Sequence, residues 1–509
     1  MPPPLYEKFD FNDLFIFEMA NNHQGSVEHG KKIIKAVGDI VKRYKLKAAI
    51  KFQFRDLDTF IHPKHKKKSD NKHVPRFLST RLSENDFKTL IKEARAQDLI
   101  IMATPFDEKS VDLCEKLDVD IIKVASCSAT DFPLLERITT AGKPVIVSFG
   151  GVPLKRIDDV VSYLDHRYVH FAIQHCVSIY PTPTEKLQLE QIAVLRRRFP
   201  MLTVGFSTHE EPTNTENVQM AYARGARMYE KHVGVETDKI KLNAYSTNPK
   251  QTEEWVKALL RAKAAMGSED KVLDPKEKED LESLMRGVFA KRDIKKGQKI
   301  SRADIYFAFP IEKGQLPSGR FLEGFVADKA YKKDEAISAE VRKDPFDPLH
   351  VIYQSVHAVK GMLNEAGIKG MEEADLELSH HYGLENFATH GAIIIDCINR
   401  EYCKKIIVQL PGQKHPNHHH IKKEEAFHMI FGELEMELGS RRKTLRAGDV
   451  QVIQRGVKHR FWTDKGAIFE EISTTHYNDD SMYEDPRIMR MPREARKTKL
   501  INWGFNQFK

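Results

Sequence analysis

Residues Leu99–Ser126 read LIIMATPFDEKSVDLCEKLDVDIIKVAS. Two short β-prone runs, LIIMATPF and DIIKVAS, flank an amphipathic segment of helix length. Strand, helix and strand in that order form the unit of a parallel sheet, because a parallel pair needs a crossover long enough to hold a helix. The same rhythm extends both ways: LFIFEMA from Leu14 and AAIKFQF from Ala48 precede this unit, and PVIVSFG from Pro144, YVHFAIQHC from Tyr168, LTVGFST from Leu202 and MYEKHV from Met228 follow it. Eight such runs within about 260 residues fit a closed (β/α)8 TIM barrel better than an open sheet.

Barrel enzymes carry their catalytic groups at the C-terminal ends of the strands. Polar residues end all eight runs: Glu18; Lys51 and Gln53; Thr104; Lys123 and Ser126; Ser148; His175; Ser207 and His209; His232. One charged strand end marks only the chain's arrival at solvent. Eight together point to a mouth built for chemistry.

A chain of 509 residues suggests about three domains at roughly 150 residues each. The barrel is expected over residues 1–268, and the charged stretch SEDKVLDPKEKEDLESLMRG reads as a helical linker or docking helix over 269–284. A small β-rich module, with KKG as a turn, spans 285–344, and an all-β domain with strands such as KKIIVQL, AFHMIFGELEMEL and AIFEEIS spans 345–509. The apolar content of 41% allows globular packing, and the net charge of +8 is mild and spread along the chain. That pattern favours anionic small molecules and argues against a nucleic-acid partner. MPPPLYEKFDFND has no apolar core after a basic start, and no run of about 18 apolar residues follows, so a soluble cytoplasmic protein with no membrane partner is expected. Cys114, Cys127, Cys176, Cys397 and Cys403 form no CxxC pair and read as reduced structural residues.

At the barrel mouth, Lys51 and Lys123 with Ser126, Ser148 and Ser207 suit a phosphate or carboxylate: lysine supplies charge and serine directs hydrogen bonds. His209 and His232 end adjacent strands, and two readings stay open for them, a divalent-ion site or a hydrogen-bonded pair on the rim. HPKHKKKSDNKH, from His62, is either a solvated loop or a lid over anionic substrates.

EMANNH from Glu18, VASCSATDFPLLE after Lys123, HCVSIYPTP from His175, GFSTH from Gly205 and YEKHVG from Tyr229 resemble the sialic acid synthase family. The resemblance covers residues 10–343 and makes the small module similar to that family's antifreeze-like (SAF) domain. It implies condensation of phosphoenolpyruvate (PEP) with an N-acylated mannosamine-type amino sugar to a nine-carbon 2-keto sugar acid and phosphate. It also implies a catalytic set of Glu18, Lys51, Lys123 and Tyr180, PEP on Lys51, Lys123, Ser126, Ser148 and Ser207, and sugar contacts at Gln53 and Tyr180. A manganese or magnesium ion on His209 and His232 would polarise the sugar aldehyde, and the SAF lid implies a homodimer. Three positions depart from the family: Ser128 replaces a glutamate, Phe309 stands where the SAF arginine is expected, and Asn243 lies near a usual acidic position.

HPNHHHIKKEEAFHMIFG, from His415, carries a second pattern. Gly412, His418, His420, Glu425 and Gly432 give G-x5-H-x-H-x4-E-x6-G, and Gly448, Gly456 and His459 give G-x7-G-x2-H. Residues two apart on a strand face the same way, so His418 and His420 converge while His419 points away. The two motifs resemble those of a cupin barrel, with His418, His420, Glu425 and His459 holding manganese, zinc or iron; Gln454 and Thr463 replace a usual proline and asparagine. The segment is also similar to sugar-isomerase cupins of the lyxose isomerase type. The alternatives to a synthase fused to a metal cupin are a sugar-binding or regulatory protein with a degenerate barrel, and a sugar isomerase whose activity resides in the cupin.

Overall fold

The computed structural model describes residues 9–269, 271–343, 346–371, 373–477 and 479–503. The chain divides into two compact units, Met1–Lys271 and Val272–Lys509.

In the first unit eight parallel strands close a barrel in chain order: β1 (Leu14–Glu18), β2 (Ala48–Phe54), β3 (Ile100–Pro105), β4 (Ile121–Val124), β5 (Val145–Ser148), β6 (Phe171–Cys176), β7 (Val204–Thr208) and β8 (Met228–His232). The interior is built on the period of two. Ile16, Ala49, Met102, Ile121, Ile146, Ala172 and Met228 pack together in the barrel's lower layer. Two residues further along the same strands stand Glu18, Lys51, Thr104, Lys123, Ser148, Gln174 and Glu230, on the same inward face. Each strand thus runs from an apolar plug to a polar mouth. The intervening residues, among them Phe15, Phe17, Phe52, Ile122, Val147 and Tyr229, face outward into a shell shared with the helices. The helix Val27–Tyr44 shows why those segments are helical: the Ser26 side chain accepts from the His29 N–H, and Ile33, Ile34, Val37, Ile40 and Val41 form its buried stripe. Between β2 and β3 the chain inserts three short helices, Leu57–Phe60, Pro63–Lys67 and His73–Ser79.

The second unit opens with the exposed helix Pro275–Ser283. A small β module follows, in which Gly287–Ala290 pairs with Ile305–Ala308, and Lys299–Ile300, Phe325–Val326 and Arg342–Lys343 form a second small sheet. Val288, Ile294, Ile300, Leu316, Tyr331 and Ile337 give it a core of its own. The KKG turn is present, with Gly297 at φ +79°. The remainder is an eleven-stranded antiparallel sheet organised by the long strand Glu425–Leu438, which pairs with four others.

This β domain is preceded by an 18-residue helix, Pro348–Glu365, where only strands were expected. Its signals stand in the sequence: Asp347 caps the N-terminus with Pro348 at the first position, and Ile352, Val356, Val359 and Leu363 recur on one buried face.

Candidate functional site

The barrel mouth opens into a cavity of about 990 Å³. It gathers Glu18, Lys51, Gln53, Lys123, Ser126, Ser148, Tyr180, Ser207, His209 and His232, the barrel residues to which the resemblance gives a catalytic, binding or metal role, together with Thr104 and Asn243. Two expected positions stand apart from its lining. His175 is buried with its Nε2 2.7 Å from the Leu187 carbonyl, and Ser128 is buried behind Ser126 and Cys127.

At the centre is a buried ionic chain. Lys51 Nζ lies 2.6 Å from Glu18 and 2.6 Å from Glu230, and Lys123 Nζ lies 2.7 Å from the other oxygen of Glu230. Lys123 also donates to Gln174, which accepts from Ser148 at 3.2 Å, and Ser207 donates to Glu230 at 3.3 Å. Barrel closure sets these groups level, since Glu18 is in register with Lys51 on one side and with His232 on the other.

Burial would push both carboxylates up, but Lys123 and Lys51 outweigh it at Glu230 and hold that group well below the carboxylate range. Glu18 is raised instead, by burial and then by the charge of Glu230 across the shared Lys51. Lys51, despite burial, is held above its ordinary value by the two carboxylates, whereas burial lowers Lys123. Two carboxylates pushed in opposite directions are the arrangement that separates a permanent anion from an acid–base group.

Glu230 was missed by the sequence reading, though His232 betrays it: two residues earlier on the same strand, a side chain must enter the same cavity. Beside the ionic chain Gly150 donates its N–H to Ser126 Oγ at 2.8 Å. Ser178 Oγ donates to the Gly150 carbonyl at 3.2 Å, and a Cβ at Gly150 would lie 2.5 Å from Ser178 Oγ and 3.0 Å from Ser126 Oγ, so only glycine lets the two serines pack against that backbone.

His209 and His232 face each other with ring centroids 5.2 Å apart, and Tyr180 and Tyr245 pack against them. His209 Nδ1 is 3.2 Å from the Val177 carbonyl, which directs Nε2 into the cavity, and His232 Nδ1 is buried with no partner. Burial lowers His209 to about 4 and, with His209 beside it, lowers His232 further, so both rings are neutral near pH 7. Neutral imidazoles with one orphaned nitrogen fit a divalent ion.

The His62–His73 segment is largely exposed to solvent, yet part of it faces the cavity. His62, His65, Lys72, His73 and Arg76 line the cavity from above.

In the β domain His418, His420, Glu425 and His459 present ligand atoms all within 4.8 Å of one another, every residue buried. His418 and His459 are directly paired across neighbouring strands, and their Nδ1 atoms lie 3.1 Å and 3.0 Å from the Pro416 and Val457 carbonyls, leaving Nε2 to face inward. His459 Nε2 and Glu425 Oε1 are 2.9 Å apart without hydrogen-bond geometry, which leaves both orphaned and ready to share an ion. Lys423, 2.6 Å from Glu425, keeps that carboxylate ionised. A register shift between His415 and His418 turns His415 inward as well, a bulge that alternation alone could not foretell.

Residues 43–271 match the NeuB family and residues 406–470 match the cupin domain family. The uncharacterized protein MJ1065 of Methanocaldococcus jannaschii is 33% identical over 297 residues, covering 58% of this chain and 84% of that protein. A Chromobacterium violaceum structure described as spore coat polysaccharide biosynthesis protein E is 42% identical, covers 65% of this chain and 99% of its own, and superposes with a TM-score of 0.62. The chain belongs to the NeuB family. Two further relatives of this NeuB chain are the N,N'-diacetyllegionaminic acid synthase of Campylobacter jejuni, 27% identical over 64% of this chain and 98% of that protein, and the human N-acetylneuraminate-9-phosphate synthase, 27% identical over 64% and 91%. Beyond the NeuB barrel this chain carries the cupin domain, and among its described residues no helix is long and apolar enough to cross a membrane.

Proposed function

We propose that the barrel condenses PEP with an N-acylated mannosamine-type sugar to give a nine-carbon 2-keto sugar acid and inorganic phosphate. As a NeuB member the chain is a PEP-dependent carbon–carbon bond-forming transferase; the acceptor sugar and the residue roles are the inferred part. The observation that carries the reading is convergence: the cations and hydroxyls suited to PEP and the histidine pair suited to an aldehyde line one cavity.

In this reading Lys51 and Lys123 supply the charge that receives PEP, and Ser126, Ser148 and Ser207 orient its phosphate and carboxylate. A divalent ion on His209 and His232 supplies Lewis-acid polarisation of the aldehyde oxygen. The PEP methylene carbon forms the new bond to the aldehyde carbon, water adds at C2, and phosphate leaves with its bridging oxygen as the C–O bond breaks. Glu18, raised by its surroundings, takes and returns the proton, while Glu230 stays charged and favours the charged form of both lysines. Tyr180, over His209, and Gln53 flank the sugar.

PEP labelled with ¹⁸O at the bridging position tests this directly. The label should appear in inorganic phosphate; its retention in the sugar acid, or no PEP consumption with any amino-sugar acceptor, rejects the reading. The buried cupin cluster supports a second metal centre that binds or isomerises a related sugar, and the small β module is read as the SAF lid of a homodimer.

A further inference from the structure

The β domain holds a cavity of its own, of about 510 Å³, against the strand His459–Trp462. Along that strand Arg460 and Trp462 alternate with His459 and Phe461, so their side chains stand on the face away from the metal ligand. Lys414 lies opposite Trp462 on one neighbouring strand, and Glu437 lies opposite Arg460 on the other. None of His418, His420, Glu425 and His459 lines this groove. His415 does, and its ring centroid is 4.6 Å from that of His418, so one ring separates the groove from the metal cluster.

The charges of the wall cancel in pairs. Arg460 meets Glu437 at 2.7 Å, Arg442 meets Glu435 at 3.0 Å, Glu484 meets Lys458 at 2.5 Å and Asp485 meets Arg487 at 2.7 Å. Lys414 is left over, since among the described residues no carboxylate lies within ion-pair distance of it. The lysines, arginines and carboxylates of the groove therefore leave one surplus positive charge.

The same pairs hold hydrogen-bonding groups in place without using them up. Arg442 gives only its Nε to Glu435, and Arg460 gives Nε and Nη2 to a single oxygen of Glu437. Both guanidiniums lie over the Trp462 ring, 4.9 Å and 5.8 Å from its centroid, which fixes their forks further. Their remaining N–H groups, Glu437 Oε1 and Asn417 Oδ1 have no protein partner among the described residues. An apolar occupant would leave these donors and acceptors unpaired.

We infer that this groove is a binding site for a sugar acid, a polyhydroxylated molecule with one carboxylate. One carboxylate balances the one surplus charge at Lys414, whereas a phosphate monoester brings nearly two. Hydroxyls both donate and accept, which suits a wall that sets fixed donors beside fixed acceptors. The volume lies within the roughly 300–1,000 Å³ of small-molecule sites. The product proposed for the barrel is of this class, so the β domain would recognise what the barrel makes. That link rests on the proposed condensation; the binding itself does not.

The test uses the full-length protein, treated with a chelator so that no turnover occurs and supplied with excess PEP to occupy the barrel mouth. It is titrated calorimetrically with N-acetylneuraminate, its uncharged methyl ester and glucuronate. One equivalent of N-acetylneuraminate should bind at least tenfold more tightly than the ester. K414Q should abolish that preference, and R442Q should weaken the acid severalfold; both changes are on exposed side chains. Glucuronate binding with the same response to K414Q sustains the site even if the nine-carbon acid is refused, and then only the link to the barrel's product is lost. Equal binding of acid and ester, K414Q without effect, or no binding of either acid overturns the inference. So does binding that appears only when divalent metal is restored, because it assigns the acid to the metal cluster. Absence of PEP consumption with every acceptor would count against the condensation and leave the result of this titration standing.

Discussion

Glu230 is the residue on which the site's charge balance turns. Among the described residues it is the only carboxylate that touches both lysines, so Glu230→Gln leaves Lys51 and Lys123 repelling each other in a buried space. Breaking a buried pair by removing one partner costs about 3–5 kcal/mol. Urea denaturation should show that loss in the barrel's transition, with added PEP restoring part of it because its own negative charge takes the place of the carboxylate. His209→Ala addresses the histidine pair and should lower kcat for PEP consumption at least a hundredfold, about 3 kcal/mol in the barrier. Retention of full rate would remove the pair from the mechanism. His23, buried just past β1, reports on pH: burial lowers it to about 4, so the unfolded chain binds more protons below its ordinary value of 6.5. Stability should therefore decline as pH falls from about 6.5 toward 4, by up to roughly 1.4 kcal/mol per unit from this residue. His23→Gln should flatten the part of the thermal-melting profile that falls in this window.

At the scale of the element, the strands were legible because each obeys one rule: a β-prone run ending in a polar group. Their starts are less legible, as at β6, which begins at Phe171 and not Tyr168, because Tyr168 and Val169 are β-prone residues that lie outside the strand. Glu230 is hard to single out in MYEKHV because Glu230, Lys231 and His232 stand side by side, and only the facing of the strand shows that the first and third share the cavity. The histidine bulge beside His418 and the packing of Phe77 on Arg55 depend on contacts between segments far apart in sequence, and no spacing encodes them. The segment between β2 and β3 was open to two readings because a run of lysines and histidines has the composition of a solvated loop; Phe77, which ties it to Arg55, is what turns it into a roof. Phe77→Ala should loosen that roof, raising the acceptor KM several-fold with little change in kcat, as expected when binding contacts alone are lost. A fall in kcat at constant KM would give this element a part in the chemical step.

For the whole molecule, the division into two compact units carries its own expectation. His420→Ala combined with His459→Ala should abolish metal binding at the cupin cluster while PEP consumption at the barrel persists, because the cluster and the barrel mouth lie in separately packed units. Metal content by elemental analysis and PEP consumption are measured on the same preparation; loss of both with the fold retained would make the cupin part of the synthase. The SAF reading adds that the active species is a twofold dimer. Light scattering that finds a fully active monomer at assay concentration would refute it.

The chain of alternating charges from Glu18 through Lys51 and Glu230 to Lys123 has a calorimetric consequence. Its two cations and two anions cancel, so these four groups need no counter-ion from solution. PEP enters this balanced set as a multiply charged anion beside Glu18, a carboxyl already raised above its ordinary range. The added negative field raises it further, and the complex must draw protons from the buffer. Titrations of PEP in buffers of different ionisation enthalpy should give apparent binding heats on a line whose slope is the proton uptake. Glu18→Gln should reduce that slope toward zero.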